Sequence, residues 1–248
     1  MPVTKKSIAA ATLTWSLLAF GVTVQATEVA SVGRVEMRLP GEGWQTYGVT
    51  DHGIAMSGGS VTRQQQTDTT VLVRRAPDET IDAVFIVRAN ATGKGRFSGV
   101  VFPDARCEGP AGTFVEGDPP SPAARSFRCL FVSQPGAVSL PDDFLQQLPG
   151  ALGDQGWKLA PIMHLMAAKQ YANTGAFLDV TVLMAPEVLP ALTDATGQAA
   201  EPLPAGVTPA SVHWGRLLQK AVTDSVYSIR GKFPVPDFLP SGAPSRSN

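Results

Sequence analysis

Ala83-Val84-Phe85-Ile86-Val87 is an unbroken apolar run of strand-forming residues. A run this short, with no polar position in it, suits a strand covered on both faces. It predicts a central strand in a layered fold. Asn90-Ala91-Thr92-Gly93-Lys94-Gly95 turns the chain, and Phe97 to Phe102 is expected to return as the second arm of an antiparallel hairpin.

Working outward, the first half reads as strand after strand. Val35, Met37 and Leu39 alternate with polar residues until Pro40-Gly41-Glu42-Gly43 breaks the pattern. Trp44 to Val49 is a second candidate, with Asp51-His52 expected in a turn beyond it. Ser57-Gly58-Gly59-Ser60 reads as a turn before Val61-Thr62-Arg63, and Thr69 to Arg74 is short and β-branched. Phe127 to Val132 is one more strand. Strand signals about ten residues apart, punctuated by Gly and Pro, imply an antiparallel sheet.

The second half mixes element types. Leu140-Pro141-Asp142-Asp143 resembles a helix start with acids in its first turn. Phe144, Leu145 and Leu148 form its apolar face, and Pro149-Gly150 is expected to stop it. Ile162 to Tyr171 and Ala176 to Met184 flank Asn173-Thr174-Gly175, which reads as a hairpin. The first arm also holds good helix formers, but the β-branched second arm needs a partner.

Thr208-Pro209 opens the clearest helix, with Thr as N-cap and Pro at the first helical position. Trp214, Leu217, Leu218, Ala221, Val222, Ser225 and Ile229 form one stripe, and Gly231 is expected to end it. The fold class is therefore α+β: a mostly antiparallel β-sheet with a long C-terminal helix, about 208–230, packed on one face. Residues 27–240 are expected to form a single domain, with 241–248 a disordered tail.

Compartment follows from the first residues. Lys5 and Lys6, an apolar run from Ile8 to Val24, and Val24-Gln25-Ala26 before Thr27 match a secretory signal peptide, residues 1–26. No stable membrane span is expected after its cleavage. The expected location is periplasmic or secreted, in a bacterial cell. The chain's 20 Lys+Arg against 21 Asp+Glu give a net charge of -1. Losing Lys5 and Lys6, and no acid, makes the mature chain mildly acidic. That balance argues against nucleic-acid binding through a basic surface. Hydrophobic residues at 44% and charged ones at 17% suit a packed core rather than a disordered chain.

Cys107 and Cys129 are the only cysteines. In an exported chain an isolated pair reads as one disulfide, worth about 3 kcal/mol in the loop-entropy model. The enclosed segment carries Pro110, Gly112, Gly117, Pro119, Pro120 and Pro122, so it gains most from a staple.

Reactive constellations are sparse. His52, His164 and His213 lie in no metal motif, and no Walker or dinucleotide fingerprint is present, so neither metal nor cofactor is expected. Gly95-Arg96-Phe97-Ser98-Gly99 misses the Gly-x-Ser-x-Gly spacing of a hydrolase elbow by one place. Asp142-Asp143 and Asp78-Glu79 suit a helix start and a turn better than a glycosidase pair.

Ten Arg and one Lys stand in residues 27–135, which suggests either an anion-recognising face or cross-strand pairs with the acids there. Asn90-Ala91-Thr92 fits a glycosylation sequon, relevant only in a eukaryotic pathway. Pro186 to Val207 lacks a period and suits a lid, a binding loop or disorder. The apolar, proline-rich tail holds Phe233, Val235 and Phe238, which either strap the chain's own core or dock into a partner.

These features favour a non-catalytic binding or accessory protein of the cell envelope, whose partners are other envelope proteins. The alternative is an extracytoplasmic hydrolase with a dispersed site around Asp51, His52 or His164. A histidine within hydrogen-bond reach of a serine or carboxylate would distinguish them.

Overall fold

The computed structural model describes residues 29–58, 61–76, 78–90, 107–109, 111–118, 126–134, 148, 150, 152–161, 163–189, 202–228 and 231–237, with backbone alone at 49–58 and 61–66. Eleven strands are present among them: β1 (Val29–Val32), β2 (Val35–Arg38), β3 (Trp44–Gly58), β4 (Val61–Arg75), β5 (Thr80–Asn90), β6 (Phe114–Gly117), β7 (Phe127–Ser133), β8 (Lys158–Leu159), β9 (His164–Tyr171), β10 (Phe177–Met184) and β11 (Lys232–Pro234). One long helix, α1 (Pro209–Tyr227), lies between β10 and β11. The architecture is α+β, mostly antiparallel, with α1 against the sheet.

The large sheet runs β3-β4-β5-β10-β9-β7-β6, with β8 added in parallel at the start of β5. The apolar run of β5 is central, and its two faces feed different cores. Ala83, Phe85 and Val87 join the larger core beneath α1. Val84 and Ile86 join a second one with Leu148, Leu152 and Met163. Period-two alternation in a strand with two apolar neighbours produces this division. Phe97–Phe102 lies outside the described residues. Over residues 83–89, β4 takes one edge of β5 and β10 the other, so neither is left for a returning arm there.

The β9–β10 hairpin forms as expected, with Gly175 at φ 77 in its turn. The β3–β4 hairpin is longer than its sequence suggests. Its ladder runs from Trp44 opposite Arg74 to Gly58 opposite Val61. Asp51 and His52 are strand residues paired with Asp68 and Thr67, not turn residues. Residues 50–56 show no apolar alternation, so the strand there rests on ladder continuity rather than on pattern.

Helix α1 starts as expected. Thr208 caps it reciprocally with Ser211, whose own hydroxyl reaches back to the Thr208 backbone. It ends earlier than Gly231: Ser228 is already extended at φ -72 and ψ 136. Gly231 serves the next element instead. Its φ is 61, a Cβ there would sit 2.4 Å from the Arg34 carbonyl oxygen, and its own carbonyl accepts from Glu36 N at 3.0 Å. The turn thus drops β11 beside β2 in parallel, completing a three-stranded sheet β1-β2-β11 that shares the larger core.

Leu148, Gly150, Leu152 and Gly153 have helical backbone, so the helix runs past Pro149-Gly150, where the sequence suggests a stop. It closes in a Schellman motif, with Trp157 N donating to Leu152 O at 3.0 Å and Gly156 N to Gly153 O at 2.9 Å. Trp157 and Leu152 then pack together over the second core. Residues 141–147, where the sequence places the start of this helix, lie outside the described residues, as do residues 1–28 and 238–248.

Candidate functional site

Cys107 and Cys129 form the disulfide, with Cα atoms 5.3 Å apart. Cys129 is fully buried in β7, directly opposite Gly117 of β6. A side chain at Gly117 would place its Cβ 2.6 Å from the Cys107 sulfur, so the bridge needs glycine across the ladder. Both cysteines belong to a small aromatic cluster with Phe127, Phe131 and Tyr171.

The tail residues are placed by the chain itself. Phe233 is fully buried opposite Met37, and Val235 is buried with its amide donating to Arg38 O at 3.1 Å. Trp214 Nε1 donates to Asp237 O at 3.2 Å, tying the same strap to α1. Phe238 lies outside the described residues.

The histidines do not converge. His213 is exposed on α1. His52 is on β3 and His164 on β9, four strands apart in the sheet order, on the order of 19 Å at ~4.8 Å per strand. His164 is 3% exposed, and its Nδ1 has no hydrogen-bond partner among the described residues. Burial pushes its pKa below the ordinary imidazole value, with the Glu187 carboxylate opposing that shift. Among the described residues no serine or carboxylate meets Nδ1, the geometry that a general base would need there.

The acidic pair Asp78-Glu79 builds a turn. The Asp78 carboxylate accepts from the Thr80 hydroxyl at 2.7 Å and amide at 3.2 Å, and these bonds hold its pKa below the usual aspartate value. Glu79 pairs with Arg75. Asp142-Asp143 and the Gly95–Gly99 segment lie outside the described residues.

Arginines in the first half meet acids and carbonyls. Arg74 holds Asp82 with two bonds, Nε to Oδ1 at 2.8 Å and Nη2 to Oδ2 at 2.7 Å. Arg34 Nη2 donates to Val226 O at 2.9 Å. Arg88 belongs to a feature that spacing along the chain does not show. Register aligns Thr69, Arg88, Asp179, Lys169 and Cys129 across β4, β5, β10, β9 and β7, on the face away from α1.

Asp179 is 5% exposed, and Lys169 Nζ stands 3.6 Å from its Oδ2 and 5.8 Å from the centre of the Phe131 ring. Burial drives the Tyr171 hydroxyl pKa upward; Asp179 adds to that and Arg88 opposes it. Tyr171 therefore stays protonated and can only donate or accept hydrogen bonds at neutral pH. The row is a cross-strand ionic array, and its one thiol position, Cys129, is committed to the disulfide. Its members are scattered over residues 69–179 and become neighbours only through register. A signal did exist: charged residues inside apolar strands, Arg88 after Val87 and Asp179 before Val180, mark positions where burial must be matched by pairing.

Asn90 heads the glycosylation sequon, but its side chain is occupied. Nδ2 donates to Gly175 O at 2.9 Å, and Oδ1 accepts from Phe177 N at 2.8 Å. The amide clamps the β9–β10 turn to the end of β5 and is buried, which removes it as an acceptor in the folded chain. Among the described residues no group of three or more His, Cys, Asp and Glu could hold a metal, and no helix is long and apolar enough to cross a membrane. No protein-family model, no curated protein and no solved structure matches the chain.

Proposed function

We propose that the chain is an exported, non-catalytic binding or accessory protein of the bacterial cell envelope, periplasmic or secreted, whose partners are other envelope proteins. The observation that carries this reading is the Cys107–Cys129 disulfide, set in a buried strand with glycine opposite it. Such bonds persist in oxidising compartments and are rare where thiol buffers keep cysteines reduced. The leader-like residues at the start of the chain point the same way. The separation of His52 from His164 supports a binding role over a hydrolytic one.

The test has two arms. The full-length gene is expressed in a Gram-negative host and the envelope is fractionated. The expected product begins at Thr27, lies outside the cytoplasm, and shows no free thiol when denatured without reductant. A cytoplasmic protein with two free thiols would overturn the reading. Crosslinking in the intact envelope, followed by pull-down, should then recover a reproducible envelope partner. Turnover of ester, peptide or glycoside substrates by the purified protein would instead favour the hydrolase.

A further inference from the structure

His164 is the first residue of β9 and faces Met184, the last residue of β10. Beyond Met184 the chain enters a single 3-10 turn, Pro186–Val188. Ala185 N donates to Asp82 O at 2.8 Å at the start of the turn, and within it two longer backbone bonds, Val188 N to Ala185 O and Leu189 N to Pro186 O, each measure 3.2 Å. Val188 and Leu189, at 9% exposure each, are the least covered members of the larger core. The turn is a lightly held element beside an enclosed imidazole whose Nδ1 lacks a partner among the described residues.

The charges around His164 are few. Its own strand offers none before Lys169, β10 faces it with Met184, and β7 ends at Ser133 opposite Leu165. The nearest charged pair along its row of the sheet, Arg74 with Asp82, is closed on itself. Helix α1, packed on β9, carries exposed His213, Arg216 paired with Glu116, and Lys220 paired with Asp224. Among the described residues Glu187, on the exposed side of the turn, is the charged group that shifts the imidazole.

We propose that His164 and the Pro186–Val188 turn form an acid-sensitive latch, in which protonation of His164 opens the turn while the sheet stays folded. A proton on the closed imidazole has no acceptor for Nδ1–H among the described residues, and a buried unpaired charge is costly. Opening the turn lets water reach the ring, at the cost of two long hydrogen bonds and two marginally buried side chains. The sign follows from the direction of the shift. The closed state binds the proton more weakly than an exposed histidine of pKa about 6.5, so closure is fully favoured above that value. It is lost as pH falls from there toward the lowered pKa of the closed state.

The experiment is amide hydrogen exchange on the mature, disulfide-bonded chain, corrected for the intrinsic pH dependence of exchange. Between about pH 7.5 and about 5.5, protection at Val188 and Leu189 should fall about tenfold, one proton being taken up on opening. Protection of Phe85, Ile86 and Val87 in β5 should fall far less. In His164→Leu the fall at Val188 and Leu189 should vanish. Unchanged protection at the turn would overturn the latch. So would an equal fall in His164→Leu, or an equal fall throughout the sheet, which is global unfolding. If His164→Leu does not fold, the wild-type comparison of turn with β5 still decides.

Discussion

Arg74 shows how one side chain can be both costly and necessary. It lies 4% exposed at the edge of the larger core, with its guanidinium 6.0 Å from the centre of the Trp44 ring and doubly bonded to Asp82. Two parallel bonds from a planar fork satisfy both carboxylate oxygens, which a lysine cannot do. Removing one partner strands the other inside the protein. Arg74→Met should cost about 3–5 kcal/mol, whereas Arg74→Met combined with Asp82→Leu should recover most of that loss. A double-mutant cycle from urea unfolding checks it; equal losses in the single and double variants would show that the pair itself, not the stranded carboxylate, sets the energy. The sequence marks this region as Arg-rich and acid-matched but not which arginine meets which acid. The Arg74–Asp82 bond depends on the register irregularity between Arg74 and Arg75, a feature no local pattern announces.

Elements were legible in proportion to how much of their stability is local. Helix α1 carries its own start signal, and Thr208→Ala should destabilise the chain by about 1 kcal/mol through loss of the reciprocal cap. A midpoint shift with an unchanged urea m-value is the expected readout; no shift would mean that tertiary packing alone fixes the helix start. Gly215 lies within the same helix, where glycine is unfavourable, because a Cβ there would come within 3.2 Å of Leu130 and Val132. Gly215→Val should therefore cost about 1–3 kcal/mol by overpacking, despite the gain of a side chain in the helix.

The end of α1 is ambiguous in the sequence for a related reason. Gly231 has the φ of a helix cap but serves the β2–β11 crossover, and sequence alone does not separate the two uses. The far half of β3 and β4 is not legible in the sequence because Thr50–Met56 and Gln64-Gln65-Gln66 lack alternation. Their pairing is inherited from the ladder that starts at Trp44. The central run of β5 is legible as a strand covered on both faces, because its apolar residues alternate between the two cores. Its neighbour β10, some ninety residues away along the chain, was set by topology and not by the nearest turn.

At the scale of the whole molecule, the disulfide joins what the two cores leave weakly tied. Cys129 stands in β7, near the β6 edge of the sheet, where Cys107 and, from β6, Val115 pack on the small aromatic cluster. The α1 side of the sheet is held by helix, strap and the small three-stranded sheet, and the opposite side by the Leu148–Trp157 region. The cross-link spans 22 residues, so loop closure alone should stabilise the chain by about 3 kcal/mol.

Reduction should lower the urea midpoint without abolishing the folded state, because neither large core contains a cysteine. The loss should also be local. Exchange protection should fall first at β6 and at its partner positions in β7, while Phe85–Val87 in β5 follows only the global change. Gly117→Ala gives an independent check, since its Cβ would crowd the Cys107 sulfur and the Arg128 carbonyl. It should destabilise the oxidised protein more than a Cys107→Ser/Cys129→Ser variant, in which the sulfur–sulfur bridge no longer fixes that spacing. Equal losses in both backgrounds would assign the clash to the backbone of β7 rather than to the bridge.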